Sequence, residues 1–270
     1  MNNKKSLNHL RLCCFIGICY FRRTKLTTMT IVILEALMQV GVLLPFMILF
    51  MKDRSKKDVM RIGIFCIVFI LYSCALMLVQ VSESFRIING SWNWNGKVYG
   101  IIWGVICYFA FRSYCKEHNF FTLKQSPGSQ KGVWLATVGI TLLAVVAWWF
   151  AGSGGEWNIE TLAFQLMMPG IDEEIMFRGV LMGLLLSSLR MKVRYLGNPS
   201  NLIIAVLFGF VHAFTLSEEY IVSFDTVYFI QTAFAGYIYG WIAIKSRSVL
   251  FPILAHNGSN FFGTLTMMIK

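Results

Sequence analysis

The nineteen residues Gly132–Phe150, GVWLATVGITLLAVVAWWF, carry no charged side chain. Wound as an α-helix they extend about 28 Å, close to the roughly 30 Å of hydrocarbon in a bilayer. A surface helix of a soluble protein keeps a polar stripe for water, and this stretch has none. It reads as a membrane span and sets the terms for the sequence on either side.

Working outward, similar apolar runs occupy Met29–Met51, Ile62–Val81 and Val98–Phe111 before it, and Thr161–Leu189, Leu202–Leu216, Val227–Ile244 and Val249–Ile269 after it. That predicts an all-α, polytopic integral membrane helical bundle of about eight transmembrane helices. The fifth run contains Pro169-Gly170, so a break is expected there, tolerated only where protein or a wet cavity satisfies the freed backbone. Segment 1–28 is a basic N-terminal stretch, 29–159 forms the N-terminal transmembrane helices, and 160–270 is the expected catalytic core.

Composition agrees. Of 270 residues, 57% are hydrophobic and only 14% charged, with a mean hydropathy of +0.63, whereas soluble domains carry about a quarter charged residues. The net charge of +11 lies in short loops between apolar runs, without an aromatic-interleaved basic groove, which excludes a nucleic-acid partner. The seven cysteines lie in or beside apolar runs of the first half, form no CxxC pair, and read as small apolar packers.

Segments 52–61, 112–131, 190–200 and 245–248 hold fourteen lysines and arginines, whereas 82–97, 151–172, 217–225 and the C-terminus hold three. By the positive-inside rule the first group is cytoplasmic and both chain ends face outward. The first 28 residues fit poorly, because six basic residues flank the short apolar run Leu12–Phe21. Translation from Met29 would leave a nearly uncharged outer end.

Ionisable groups inside a span are costly and mark function. Here they cluster as Asp172-Glu173-Glu174-Ile175-Met176-Phe177-Arg178, Phe208-Gly209-Phe210-Val211-His212 and His256-Asn257-Gly258-Ser259-Asn260. Residues four apart share a helix face. Glu174 therefore reaches Arg178, Phe208 sits below His212, and His256 stacks near Asn260. Glu173 lies about 100° around the helix from Glu174, free of that pair and able to meet water. Singly, these groups read as a structural clamp, a hydrogen-bonded helix histidine and interhelical glue. Their joint occurrence on three helices is poorly explained by glue alone.

The chemistry offered is water attack on a carbonyl. Glu173 is a candidate general base, His212 a partner in holding the water, and His256 with Asn260 candidate oxyanion donors. Ser259 lies within the histidine motif, but no GxSxG elbow surrounds a serine. A metal alternative, zinc held by Glu173, His212 and His256, lacks the HExxH spacing of familiar zinc proteases. The expected site holds no cofactor.

Glu-Glu-x-x-x-Arg at 173–178, Phe-x-x-x-His at 208–212 and His-x-x-x-Asn at 256–260 resemble the three signature motifs of the CPBP (Abi) membrane proteases. These are relatives of the type II CAAX prenyl endopeptidase that include bacteriocin self-immunity proteins. The resemblance implies a glutamate-type peptidase, often labelled a metalloprotease, with Glu173 and His212 activating water, His256 and Asn260 lining the oxyanion site, and Glu174, Arg178 and Phe208 as structural support.

The resulting expectation is a multi-pass peptidase of a bacterial plasma membrane. It would act within the lipid bilayer on a membrane-associated peptide or protein, in bacteriocin maturation or self-immunity. Two rivals from other classes are a non-catalytic membrane immunity or regulatory protein and a proton-coupled transporter. The transporter would favour inverted repeats, and none is visible.

Overall fold

A computed structural model describes residues 25–115 and 118–270. The apolar run Leu12–Phe21 and three of the cysteines lie outside the described residues. The chain forms a helical bundle in which α1 (Lys25–Phe50) and α2 (Lys56–Leu76) lead through a helical turn at Leu78–Val81 and a loop to α3 (Trp94–Cys115) and α4 (Gln130–Ala151). Then come α5 (Ile159–Glu174), a π-helical turn at Ile175–Leu181, α6 (Met182–Leu186), α7 (Pro199–Ala213), α8 (Thr226–Ser246) and α9 (Leu250–Ile269). A short hairpin, β1 (Phe214–Leu216) antiparallel to β2 (Val222–Phe224), joins α7 to α8.

Among the described residues, five helices are long and apolar enough to cross a membrane: Thr28–Phe50, Lys56–Leu76, Trp94–Cys115, Gln130–Ala151 and Thr226–Ser246. The expected count of eight is therefore not reached by length and composition. The three runs that fall short are the three that carry the polar motifs. Two of them are too short as regular α-helices, α5 with 16 residues and α7 with 15. The third, α9, carries His256, Asn257 and Asn260 in an otherwise apolar stretch. Their surroundings explain why the polar residues are tolerated. Residues 172–186 are all buried, so this helix contacts protein on every side. Around it pack Met47 of α1, Phe65 and Phe69 of α2, Cys107 of α3 and Leu207 of α7.

Three boundaries differ from expectation. The helix does not break at Pro169-Gly170 but runs through them. Asn257 of α9 satisfies this stretch, its Oδ1 accepting from Gly170 N at 2.8 Å and its Nδ2 donating to Met167 O at 3.2 Å. The irregularity comes later, in the π-turn. The second span is interrupted at Met77 and resumes as a single turn at Leu78–Val81. At the interruption the Leu76 carbonyl accepts from Asn93 Nδ2 at 3.1 Å, while Asn93 Oδ1 caps α3 at Gly96 N. The sixth stops at Ala213, because the next three residues pair as β1 and Leu216 N donates to the Glu35 carboxylate at 2.6 Å.

The loops sort by charge. Lys52 N donates to Ser188 O, Arg61 reaches the carbonyls of Tyr114 and Ser187, and Ser126 N donates to Ser246 O. All four lysine- and arginine-rich segments thus meet at one end of the bundle. At the other end Glu160 Oε1 accepts from Ser91 N and Trp94 Nε1, and Lys270 reaches the carbonyls of Trp149 and Gly152.

Candidate active site

Glu173, His212, His256 and Asn260 line one cavity of about 480 Å³. They come from α5, α7 and α9. The cavity occupies the half of the bundle next to the lysine- and arginine-poor end, where Trp92, Trp148 and Phe164 also line it.

Each polar group is held by a specific neighbour. His212 Nδ1 lies 2.7 Å from the Phe208 carbonyl. A carbonyl can only accept, so Nδ1 carries the proton and the Nε2 of a neutral ring presents a lone pair to the cavity. His256 Nδ1 lies 2.9 Å from Glu174 Oε1, and its ring stacks on Tyr239 with centroids 5.0 Å apart. Its Nε2 also faces Glu173. The Glu173 Oε2 atom is 3.8 Å from His212 Nε2 and 4.0 Å from His256 Nε2, and it accepts no hydrogen bond among the described residues.

The support residues form a second layer. Arg178 donates to Glu174 Oε1 at 2.9 Å and to the Gly236 carbonyl at 2.8 Å. Its guanidinium carbon lies 4.8 Å from the centre of the Phe208 ring. Phe208 in turn lies against both imidazoles, 4.5 Å from His212 and 5.7 Å from His256 between ring centres. Such cation–π contact is strongest where water is excluded. The arginine thus ties the glutamate motif to both histidine motifs.

One expectation needs correction. Glu174 does take Arg178, but Glu173 is not free of ionic partners. Lys97 Nζ sits 2.6 Å from Glu173 Oε1 and 3.0 Å from Asp172 Oδ2. Lys97 entered the sequence reading only as a loop charge, and Asn257 and Asp172 only as neighbours of motif residues. A visible signal was the spacing Gly96, Gly100, Gly104 beside Lys97, since small residues four apart let membrane helices approach closely.

The zinc alternative has donors of suitable kind, because Nε2 of both histidines faces Glu173 Oε2, and both Nδ1 atoms are fixed by acceptors as metal-bound imidazoles usually are. Against it, Lys97 already places a positive charge on Glu173. Among the described residues no group of three or more His, Cys, Asp and Glu side chains is arranged to hold a metal ion.

A multi-helix membrane bundle with a glutamate, two imidazoles and an asparagine around one internal cavity defines a class of membrane-embedded, carboxylate-containing sites. Residues 155–262 match the family described as Type II CAAX prenyl endopeptidase Rce1-like, so over this stretch the chain is similar to the CAAX proteases. It is a multi-pass membrane protein. No curated protein and no solved structure matches the chain.

Proposed function

We propose that this protein is an intramembrane endopeptidase that hydrolyses a peptide bond of a membrane-associated peptide or protein, using water activated by Glu173 and His212. The observation that carries this reading is Glu173 Oε2, without a hydrogen-bond donor among the described residues and directed at two imidazole Nε2 atoms on the wall of a cavity. A water there donates one proton to Oε2 and the other to His212 Nε2. Its oxygen then attacks the peptide carbonyl carbon while Glu173 or His212 takes a proton. Asn260, and His256 when it carries a second proton, present N–H groups to the developing oxyanion. Collapse breaks the C–N bond, and the proton held by the base passes to the leaving amine.

In this reading the reaction uses no metal, Glu174, Arg178 and Phe208 support the site, and the enzyme works in the plasma membrane of a bacterium. Bacteriocin maturation or self-immunity fits such an enzyme. The test is comparative peptide profiling of cells that express the wild-type protein or Glu173→Gln. Peptides with new termini should be present with the first and missing with the second. Identical profiles would reject the peptidase reading.

A further inference from the structure

We propose that Lys97 is a positioning residue that fixes the rotamer of Glu173 and so sets which carboxylate oxygen meets the water. The proposal rests on the peptidase reading above. Lys97 lies in the first turn of α3, where the positive end of the helix dipole disfavours a cation. Its side chain is only 13% exposed, so it has lost most of its hydration as well. Something must compensate for both costs, and two carboxylates do. Nζ contacts Glu173 Oε1 at 2.6 Å and Asp172 Oδ2 at 3.0 Å.

These contacts divide the work between the two oxygens of Glu173. Oε1 is tied to the ammonium, and Oε2 is left toward His212 and His256. The last torsion of a glutamate is otherwise broad and roughly two-fold. Without the ammonium, the carboxylate would sample orientations in which neither oxygen points at Nε2.

Lys97 is itself held. The Asp172 oxygen that it contacts also accepts from Tyr72 Oη of α2 at 2.7 Å. The close approach of α3 to α5 depends on Gly100 and Gly104, because a Cβ on the first would run into Asp172 Oδ1 and one on the second into Ile175 Cγ2. A chain of contacts therefore runs from Tyr72 through Asp172 and Lys97 to Glu173. Tyr72, Lys97 and Gly100 all lie outside the stretch 155–262 that matches the family.

The competing role for Lys97 is charge balance alone, neutralising two buried carboxylates without orienting either. The variants Lys97→Met, Lys97→Met/Asp172→Asn, Tyr72→Phe and Glu173→Gln separate the two. The double variant removes one positive and one negative charge, so it restores balance but not the tie to Oε1. The probe is an internally quenched synthetic peptide spanning a cleavage site found by the profiling above. Positioning predicts that the double variant melts near the wild-type temperature and keeps its KM, while kcat falls about 10- to 100-fold. Tyr72→Phe, which removes only a hydroxyl, should fold normally and lose several-fold in kcat. A double variant or Tyr72→Phe with wild-type kcat overturns positioning and leaves Lys97 as a counter-charge. A faster Lys97→Met would overturn it too, by showing that the lysine restrains the site. Normal cleavage by Glu173→Gln would instead remove the peptidase reading itself.

Discussion

Glu174 and Arg178 close a 2.9 Å ion pair in which both side chains are fully buried. Glu174 Oε1 also meets His256 Nδ1 at 2.9 Å, so one carboxylate oxygen serves an arginine and a histidine from two different helices. Removing either member of the ion pair strands a charge where no water reaches it. Glu174→Gln and Arg178→Ala should therefore lower yield and melting temperature, by roughly 3–5 kcal/mol in stability. Thermal melts of the purified variants measure this directly.

Glu173→Gln should behave differently. The change is nearly isosteric at a cavity wall, so folding should survive while turnover drops by roughly 10²-fold or more. Measuring expression, melting and cleavage together distinguishes the neighbours. A stable but inactive Glu174→Gln beside a normally cleaving Glu173→Gln would mean that the two carboxylates have been assigned backwards.

Asn257 supports a third prediction. Its amide satisfies both Gly170 N and Met167 O where α5 passes through Pro169. Asn257→Leu fills similar space but offers neither group a partner, and an unmet buried polar group costs about 1–3 kcal/mol. Melting temperature should fall accordingly, even though Asn257 is absent from the proposed chemistry. A variant as stable as wild type would show that the backbone finds other partners there.

Most of the bundle is legible in the chain because apolar runs of span length have few other places to go. The motif residues were legible for a related reason: Asp172, Glu173, Glu174 and Arg178 stand out only against apolar neighbours. Lys97 was not legible, because it sits 76 positions from Glu173 at the very start of a span, where a lysine ordinarily reaches for the interface. Only the packing of α3 against α5 turns it inward. The π-turn and the hairpin after Ala213 were hidden as well. Each depends on tertiary partners, Gly236 O for Arg178 and Glu35 for Leu216 N, that local periodicity does not encode. Asn257 was hidden by its neighbours, since the motif spacing draws attention to His256 and Asn260 instead.

The metal question has its own measurement. Lys97 beside Glu173 and the lack of HExxH spacing motivate a metal-free mechanism. Purified, active protein should contain less than one zinc per chain, and chelators should leave its cleavage intact. Stoichiometric zinc whose removal and return switch activity off and on would overturn this assignment.

Access to the cavity is the final prediction. The basic segments gather at one end of the bundle, while the cavity lies toward the other, next to Trp92 and Phe164. If the basic end faces the cytosol as the positive-inside rule requires, the cavity opens toward the opposite side. Substrates would then be presented from outside the cytosol. Ser153→Cys and Ser223→Cys, at exposed positions near the cavity end, and Lys192→Cys, exposed at the basic end, test this in a cysteine-free background. A membrane-impermeant thiol reagent should label the first two in intact cells and Lys192→Cys only after permeabilisation. The reverse pattern would invert the topology and place the mouth of the cavity on the cytosolic side, where a different pool of peptides would reach Glu173.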